Sequence, residues 1–116
     1  MSIARQFTAF TKREIDNLFK QAKQALKVNE LTILLAPASN SFGASNSFGR
    51  LLLVTPRKIG NAPERNRVRR RLKTIFRNEQ LFNRGYDCAI IVRKAAIDAS
   101  FDQLKKFMLE AFKKSR

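Results

Sequence analysis

The sequence has few of the residues that most often carry protein chemistry. It contains no histidine, no tryptophan and one cysteine among 116 residues. Without histidine the chain lacks the commonest general base and metal ligand, and one cysteine provides neither a zinc set of ordinary spacing nor an internal disulfide. Its nine carboxylates are scattered, and no glycine-rich phosphate loop is present. We therefore expect no catalytic side chain and no metal site on the protein itself.

Long apolar runs are also absent. No window reaches the roughly 18 consecutive apolar residues of a membrane-spanning helix. The first residues, MSIARQFTAFTKRE, lack the apolar core of a signal peptide. Cys88 lies alone in the apolar run CAIIV, which suits a reducing compartment. We expect a cytoplasmic protein with no membrane partner.

Acidic residues are scarce, because 24 Lys and Arg face 9 Asp and Glu and give a formal net charge of +15. Such an excess indicates a polyanionic partner, with nucleic acid ahead of a membrane surface or an acidic protein. The charge is concentrated, since residues 57–77 hold nine basic residues and one acid, Glu64. The chain is 44% hydrophobic with ten phenylalanines, enough to fill one core. We expect one domain, residues 1–116.

Capping motifs and apolar periodicity predict three helices. Thr11 and Glu14 form a T-x-x-E capping box, with Phe10 and Ile15 at the positions of a hydrophobic staple. Apolar residues then recur at helical spacing and predict a helix from Lys12 into the low twenties; they are Ile15, Leu18, Phe19, Ala22 and Leu26. Asn61 suits the N-cap of the arginine-rich helix, with Pro63 in its first turn. Ser100 and Gln103 form a second capping box before the apolar stripe Leu104, Phe107, Met108, Ala111 and Phe112.

Apolar runs ended by proline or preceded by glycine predict the strands. The runs are 31–36, 51–55 and 86–92, and a further strand at 24–28 is compatible with the sequence. A tandem SNSFG repeat at 39–43 and 45–49 predicts a long hairpin loop between the first two runs. The expected order is αβββαβα, a small α/β sandwich with a sheet of three or four strands.

The segment ERNRVRRRLKTIFR at 64–77 predicts a helix that is both apolar and cationic. At about 100° per residue, Val68, Leu72, Ile75 and Phe76 fall on one side. The opposite side carries Asn66, Arg69, Arg70, Lys73 and Arg77, with Arg67 and Arg71 at the flanks. A solvated face normally mixes Glu with Lys for pairing, and this one lacks acids after Glu64. Arginine's planar fork suits phosphate binding, so we expect a recognition surface.

The residues around this helix resemble the signature of the bacterial ribonuclease P protein subunit. Its R-N-R helix is matched by Arg65-Asn66-Arg67, and its K-x-G-x-A loop by Lys58 to Ala62. Further matches are K-R-E…L-F-K at 12–20, F-G-R at 48–50 and Y-D…V-R-K at 86–94. They cover most of the chain in the family's order.

The resemblance implies a protein that binds a large catalytic RNA and helps it remove the 5′ leader of precursor tRNA. It assigns the contact with the catalytic RNA to eight residues: Lys58, Asn61, Arg65, Asn66, Arg67, Arg69, Arg70 and Lys73. It further implies a four-stranded mixed sheet with a left-handed βαβ crossover and Mg²⁺ bound mainly through the RNA. No obligate protein partner is expected.

A second surface implied by the resemblance is a cleft between the first helix and the sheet that holds the single-stranded leader. The matching positions are Ile15, Phe19, Thr32, Leu34, Arg57 and Lys58. Ile15 and Leu34 stand where the family often has aromatic residues, so we expect weaker stacking on leader bases, which is typically worth about 1–3 kcal/mol per base.

Two other functions use the same basic helix and stay open at this point. A structural RNA-binding protein, for instance of the ribosome, would share the charge and the helix. A DNA-binding regulator would place the helix in a major groove, but Asn66 is nearly the only side chain suited to reading base edges there, and no dimerisation element is evident.

Overall fold

The computed structural model describes residues 10–37 and 49–114. Their principal elements are α1 (Lys12–Gln21), β1 (Lys23–Lys27), β2 (Leu31–Pro37), β3 (Leu51–Val54), α2 (Ala62–Asn78), β4 (Tyr86–Val92) and α3 (Phe101–Lys114). Apart from Gly49, the predicted SNSFG loop lies outside the described residues. No helix in the described ranges is both long enough and apolar enough to cross a bilayer.

The four strands form one mixed sheet in the order β1-β2-β4-β3. Strand β2 is antiparallel to both β1 and β4, whereas β3 runs parallel to β4. The chain passes from β3 to β4 through α2, which is the crossover that parallel neighbours require. The architecture confirms the predicted αβββαβα order and the four-stranded sheet. The left-handed sense of the crossover stays a prediction.

The two faces of the sheet are covered unequally because side chains alternate along each strand. Helices α2 and α3 contact each other and pack over the face that carries Leu31, Ile33 and Leu35 of β2, where most of the hydrophobic core lies. The opposite face is covered by α1, whose buried Leu18 packs with Ala36 and Ala89. Because α1 has only ten residues, it leaves part of this face of the sheet uncovered.

The structure corrects one interpretation of the periodicity. Leu26, which fits the helical spacing of α1, lies in β1 and is buried in the main core. The chain leaves the helix at Ala22, whose backbone is extended and whose N–H donates to the Leu18 carbonyl oxygen at 2.8 Å. The position of Leu26 fits the period of a helix and also that of a strand, and pairing of β1 with β2 places it in the strand.

The predicted caps of all three helices are confirmed. Thr11 and Glu14 exchange both hydrogen bonds of a capping box, and so do Ser100 and Gln103. Asn61 is the N-cap of α2, with a proline in the first turn. The structure adds three 3-10 turns that the sequence did not predict, at Arg57–Ile59, Leu81–Arg84 and Lys94–Asp98.

Candidate nucleic-acid interface

The arginine-rich helix begins with a closed capping box that uses its acid. Asn61 Oδ1 accepts a hydrogen bond from the Glu64 N–H at 2.9 Å, and Glu64 Oε1 accepts one from the Asn61 N–H at 2.9 Å. A Cβ on Gly60 would lie 2.8 Å from Glu64 Oε1, so glycine makes room for this carboxylate. Glu64 therefore stabilises the helix start, and it is not part of any ion pair found in the described residues.

One side of α2 is core and the other is a cationic surface, as predicted. Val68, Leu72, Ile75 and Phe76 are at most 1% exposed. The exposed side chains on the other side include Asn66, Arg67, Arg70, Lys73 and Arg77. Arg65, Arg69 and Arg71 are half-buried. We call the predicted RNA-contact residues within the helix the α2 face; they are Arg65, Asn66, Arg67, Arg69, Arg70 and Lys73.

No basic residue of the α2 face forms an ion pair with a carboxylate in residues 10–37 or 49–114. The ion pairs found there join Arg50 to Glu14 and Asp87, and Lys105 to Glu79. Like charges spaced three and four residues apart on a helix repel one another. The α2 face thus carries positive charge that the described part of the protein does not neutralise, which is the electrostatic condition for binding a polyanion.

Hydrogen bonds within the protein orient part of this face. Arg69 Nη2 donates to Asn66 Oδ1, and Arg71 Nη1 donates to the Ala99 carbonyl oxygen at 3.0 Å. Arg65 is packed more closely than the sequence indicated, because its Nε is buried without a hydrogen-bond partner. Predicted residues Lys58 and Asn61 are exposed in the turn before α2 and at its N-cap, so the eight predicted positions lie in one continuous stretch.

A second surface lies on the face of the sheet that α1 covers. The strand register places Thr32 beside Ile91, and Ile91 beside Val54. The next row on this face joins Leu34, Ala89 and Leu52. Leu34 and Leu52 pack against the Leu18 cluster under α1, whereas Ile91 and Val54 stay half-exposed. We call this row, which α1 leaves partly open, the floor of the predicted cleft.

The predicted leader residues differ in accessibility. Phe19 is 40% exposed on α1, and Ile15 is half-buried one turn earlier. Arg57 and Lys58 are exposed in the turn that follows β3, at the end of the sheet where Val54 lies. Thr32 is only 5% exposed, so its side chain offers a ligand little surface.

Arg93 is the residue that the sequence reasoning left out of this site. It follows the last residue of β4, is exposed, and its Nη2 donates to the Thr32 hydroxyl at 3.2 Å. The Arg93 guanidinium therefore lies at the cleft floor, where the Thr32 hydroxyl oxygen accepts its hydrogen bond. The V-R-K match at 92–94 was the available signal, because it places an arginine directly after a strand that lines the cleft.

Glu14 and Asp87 use their carboxylates to anchor the structure. Arg50 Nη1 lies 2.7 Å from Glu14 Oε2, and the Arg50 N–H donates to Asp87 Oδ1 at 2.8 Å. The Thr11 N–H and then the Arg50 side chain hold the pKa of Glu14 below its ordinary value. In the described ranges, no three His, Cys, Asp or Glu side chains form a group that could hold a metal ion.

A mixed four-stranded sheet whose crossover helix presents an unneutralised cationic face defines an α+β domain with a surface suited to a polyanion. The model of the Ribonuclease P family matches residues 4–116, and the chain belongs to this family. The resemblance inferred from the sequence motifs is thereby confirmed.

Relatives and solved structures agree with this assignment. The ribonuclease P protein component of Halalkalibacterium halodurans is 40% identical over 70 residues, 60% of this chain and 59% of the relative. That of Finegoldia magna is 40% identical over 67 residues, 57% of this chain and 59% of the relative. The chain thus covers less than two thirds of either relative's length.

The solved structures support the fold. The RNase P protein of Thermotoga maritima matches with a TM-score of 0.73 at 24% identity, over 94% of this chain and 97% of that one. The Staphylococcus aureus RNase P protein gives a TM-score of 0.72 at 17% identity, over 92% and 93% of the two chains. At these identities the likeness establishes the fold class, and the roles of single residues stay predictions.

Proposed function

We propose that this chain is the protein subunit of a ribonuclease P ribonucleoprotein, which removes the 5′ leader from precursor tRNA. The observation that carries the proposal is the α2 face, whose basic side chains have no carboxylate partner in the described residues. Membership of the Ribonuclease P family gives this face its expected partner, a catalytic RNA. The proposed setting is the cytoplasm.

The α2 face is proposed to bind the catalytic RNA by neutralising phosphates. Exposed Arg67, Arg70 and Lys73 are free to reach phosphate oxygens, and a guanidinium can bind one in a bidentate manner. Lys58 and Asn61 extend the contact at the start of the helix. Binding of this kind releases counterions from the RNA, so affinity falls steeply as salt rises.

The cleft is proposed to hold the single-stranded leader. Phe19 supplies an exposed ring on which a base can stack, and Ile15 and Leu34 supply apolar walls without an aromatic face. Arg57, Lys58 and Arg93 supply positive charge at the end of the sheet where the floor lies open. The cleft thus combines the apolar and cationic groups that a single strand needs.

In this mechanism the protein positions RNA and stabilises charge, while hydrolysis belongs to the RNA. The basic side chains of the α2 face carry guanidinium and ammonium groups, which repel a divalent cation, and the amide oxygen of Asn66 accepts a hydrogen bond from Arg69. We therefore assign Mg²⁺ to the RNA subunit and derive no step of the reaction from a protein-bound metal. The protein contributes by neutralising phosphates that would otherwise repel one another and by holding the leader beside the RNA.

Reconstitution tests the proposal. Ribonuclease P RNA is incubated with precursor tRNA at low Mg²⁺ with and without this protein, and leader removal is expected only when the protein is added. Tighter binding of precursor than of mature tRNA by the assembled complex separates this function from that of a structural ribosomal protein, which has no use for the leader. Leader removal by the protein without any RNA would contradict the division of labour proposed here.

A further inference from the structure

An exposed phenylalanine borders the α2 face on a separate element. Phe101, the first residue of α3, is 36% exposed. It lines a groove of about 200 Å³ together with Arg67, Arg70, Arg71 and Thr74 of α2. The groove thus joins one aromatic ring to three guanidinium groups, and no carboxylate is among its lining residues.

Neither the cap of α3 nor its buried core contacts depend on an aromatic residue at this position. Ser100 and Gln103 complete the capping box of α3 without Phe101. The core contacts of α3 are made by Leu104, Met108, Ala111 and Phe112, which are all buried. A polar residue would also serve the helix start, and the exposed part of the Phe101 ring leaves apolar surface in contact with water.

The position of the ring relative to the arginines is set by the protein. Arg71 Nη1 donates to the Ala99 carbonyl oxygen at 3.0 Å, which ties α2 to the chain two residues before Phe101. Thr74 Oγ1 donates to the Arg70 carbonyl oxygen at 2.8 Å, so its hydroxyl proton stays within the helix. Arg67 and Arg70 remain exposed on the open side of the groove.

We propose that this groove holds an unpaired nucleotide of the RNA partner, with its base stacked on Phe101 and its phosphates bound by Arg67 and Arg70. An aromatic ring beside guanidinium groups is the combination that binds single-stranded nucleic acid, since the ring stacks on a base while the cations follow the backbone. A base within an A-form duplex has its faces covered by its neighbours and cannot stack there. The inference rests on the proposed function, which supplies the RNA, and it adds a nucleotide-binding site outside the leader cleft.

Substitutions at Phe101 test the stacking, with equilibrium binding to ribonuclease P RNA measured over a series of salt concentrations. Phe101→Ala is expected to lower affinity by about 5- to 150-fold, the range that corresponds to loss of one stacked base. The dependence of log K on log salt should keep its slope, because no charge is removed. Phe101→Tyr should retain the affinity, and Phe101→Leu should lose most of it because it keeps apolar volume but not the flat ring.

Arg67→Gln provides the matched electrostatic comparison within the same groove. It is expected to reduce the magnitude of the salt slope by about 0.7–0.9, as for loss of one phosphate contact. Thermal unfolding of each variant separates an effect on binding from an effect on folding. A photo-crosslinkable phenylalanine analogue at position 101 should attach to a nucleotide that chemical probing of the free RNA shows to be unpaired.

The outcomes distinguish the inference from the proposed function. Unchanged affinity of a folded Phe101→Ala variant, or crosslinking to a base-paired nucleotide or to a second copy of the chain, would overturn the nucleotide site. Wild-type protein that binds ribonuclease P RNA no better than an unrelated RNA of equal length would instead contradict the proposed function. If the protein binds RNA without selectivity but Phe101→Ala still lowers that affinity, the groove remains a nucleotide site although the proposed function fails.

Discussion

Arg50 and Glu14 join the first helix to the start of β3 through a hydrogen-bonded ion pair of 2.7 Å. The Arg50 guanidinium also lies over the Phe10 ring, 4.3 Å from its centroid, and 3.6 Å from Asp87 Oδ2. The F-G-R and Y-D motifs, which carry part of the family resemblance, therefore meet in space. Their contacts hold α1 over the sheet and so fix the position of Phe19 relative to the cleft floor.

Glu14→Gln should destabilise the fold in a manner that depends on pH. The pKa of Glu14 is lower in the folded protein than its ordinary value of 4.5. The carboxylate therefore contributes stability that is fully present above about pH 4.5 and is lost as pH falls through the folded pKa. We expect Glu14→Gln to cost about 1 kcal/mol at neutral pH. Urea unfolding from pH 7 to about pH 3 should show the difference shrink in acid, and a constant difference would contradict this role.

Phe76→Ala should destabilise the protein strongly without altering the charge of the α2 face. Phe76 is 1% exposed, and its ring centroid lies 6.4 Å from those of Phe82 and Phe112. Removing such a side chain leaves a cavity, and the free energy of unfolding should fall by about 3–5 kcal/mol. Denaturant titration measures this loss. In the fraction that remains folded, the salt slope of RNA binding should equal that of the wild type; a reduced slope would mean that the substitution disturbs the face itself.

Cys88 should be unreactive while the protein is folded. Its side chain is fully buried in the sheet. This burial is the main cause that raises the pKa of the thiol, and the negative charge of Asp87 raises it further. A thiol reagent such as Ellman's reagent requires the thiolate and access to the sulfur, so it should react only through opening of the structure. The measurement compares the reaction rate in buffer with that in denaturant. Rapid reaction in buffer would place Cys88 nearer the surface than the structure does.

The local rules that predicted α2 worked because its signals are close together in the chain. Val68, Leu72 and Phe76 recur at the helical period, and Asn61 and Glu64 cap the start within one turn. Leu26 shows the limit of the same rule, since its spacing fits a helix while a partner strand decides its structure. Periodicity is reliable where tertiary pairing does not compete with it.

The parts of the site that could not be predicted depend on contacts between distant residues. Arg93 reaches the Thr32 hydroxyl across 61 positions in the chain, and Arg50 pairs with Asp87 across 37. Gly49 shows the same limit, because a Cβ there would lie 1.8 Å from the Tyr86 carbonyl oxygen. No local pattern encodes these pairs. The sequence motifs identified Gly49, Arg50, Asp87 and Arg93, but the residues that they contact became known only from the pairing of the strands.

Loss of charge from the α2 face should weaken RNA binding and flatten its dependence on salt. Arg67 and Lys73 are both exposed on this face and have no carboxylate partner in the described residues. Replacing both by Gln should lower the magnitude of the salt slope by about 1.4–1.8, as for two phosphate contacts. The charge-matched control replaces Lys106 and Lys113 by Gln, two exposed positions on α3 outside the α2 face. Equal slopes for the double variant and this control would place the RNA contact elsewhere.

Substitutions in the leader cleft should reduce the preference of the complex for precursor over mature tRNA without weakening assembly of the protein with the catalytic RNA. Phe19→Ala removes the exposed ring of α1, and Arg93→Gln removes the guanidinium at the cleft floor. Each should weaken the binding of precursor tRNA by the reconstituted complex, while mature tRNA binds as before. For Phe19→Ala the loss should be about 1–3 kcal/mol, the value of one stacked base.

Asn17→Ala is the matched control for Phe19→Ala, since Asn17 is also exposed on α1 and is not among the cleft residues. Precursor and mature tRNA carrying the same radiolabel, titrated against each complex, give the two affinities directly. Precursor affinity should fall for the cleft variants alone. If mature tRNA loses as much affinity as precursor, Phe19 and Arg93 act on the body of the tRNA or on the catalytic RNA, and the leader must lie on another surface.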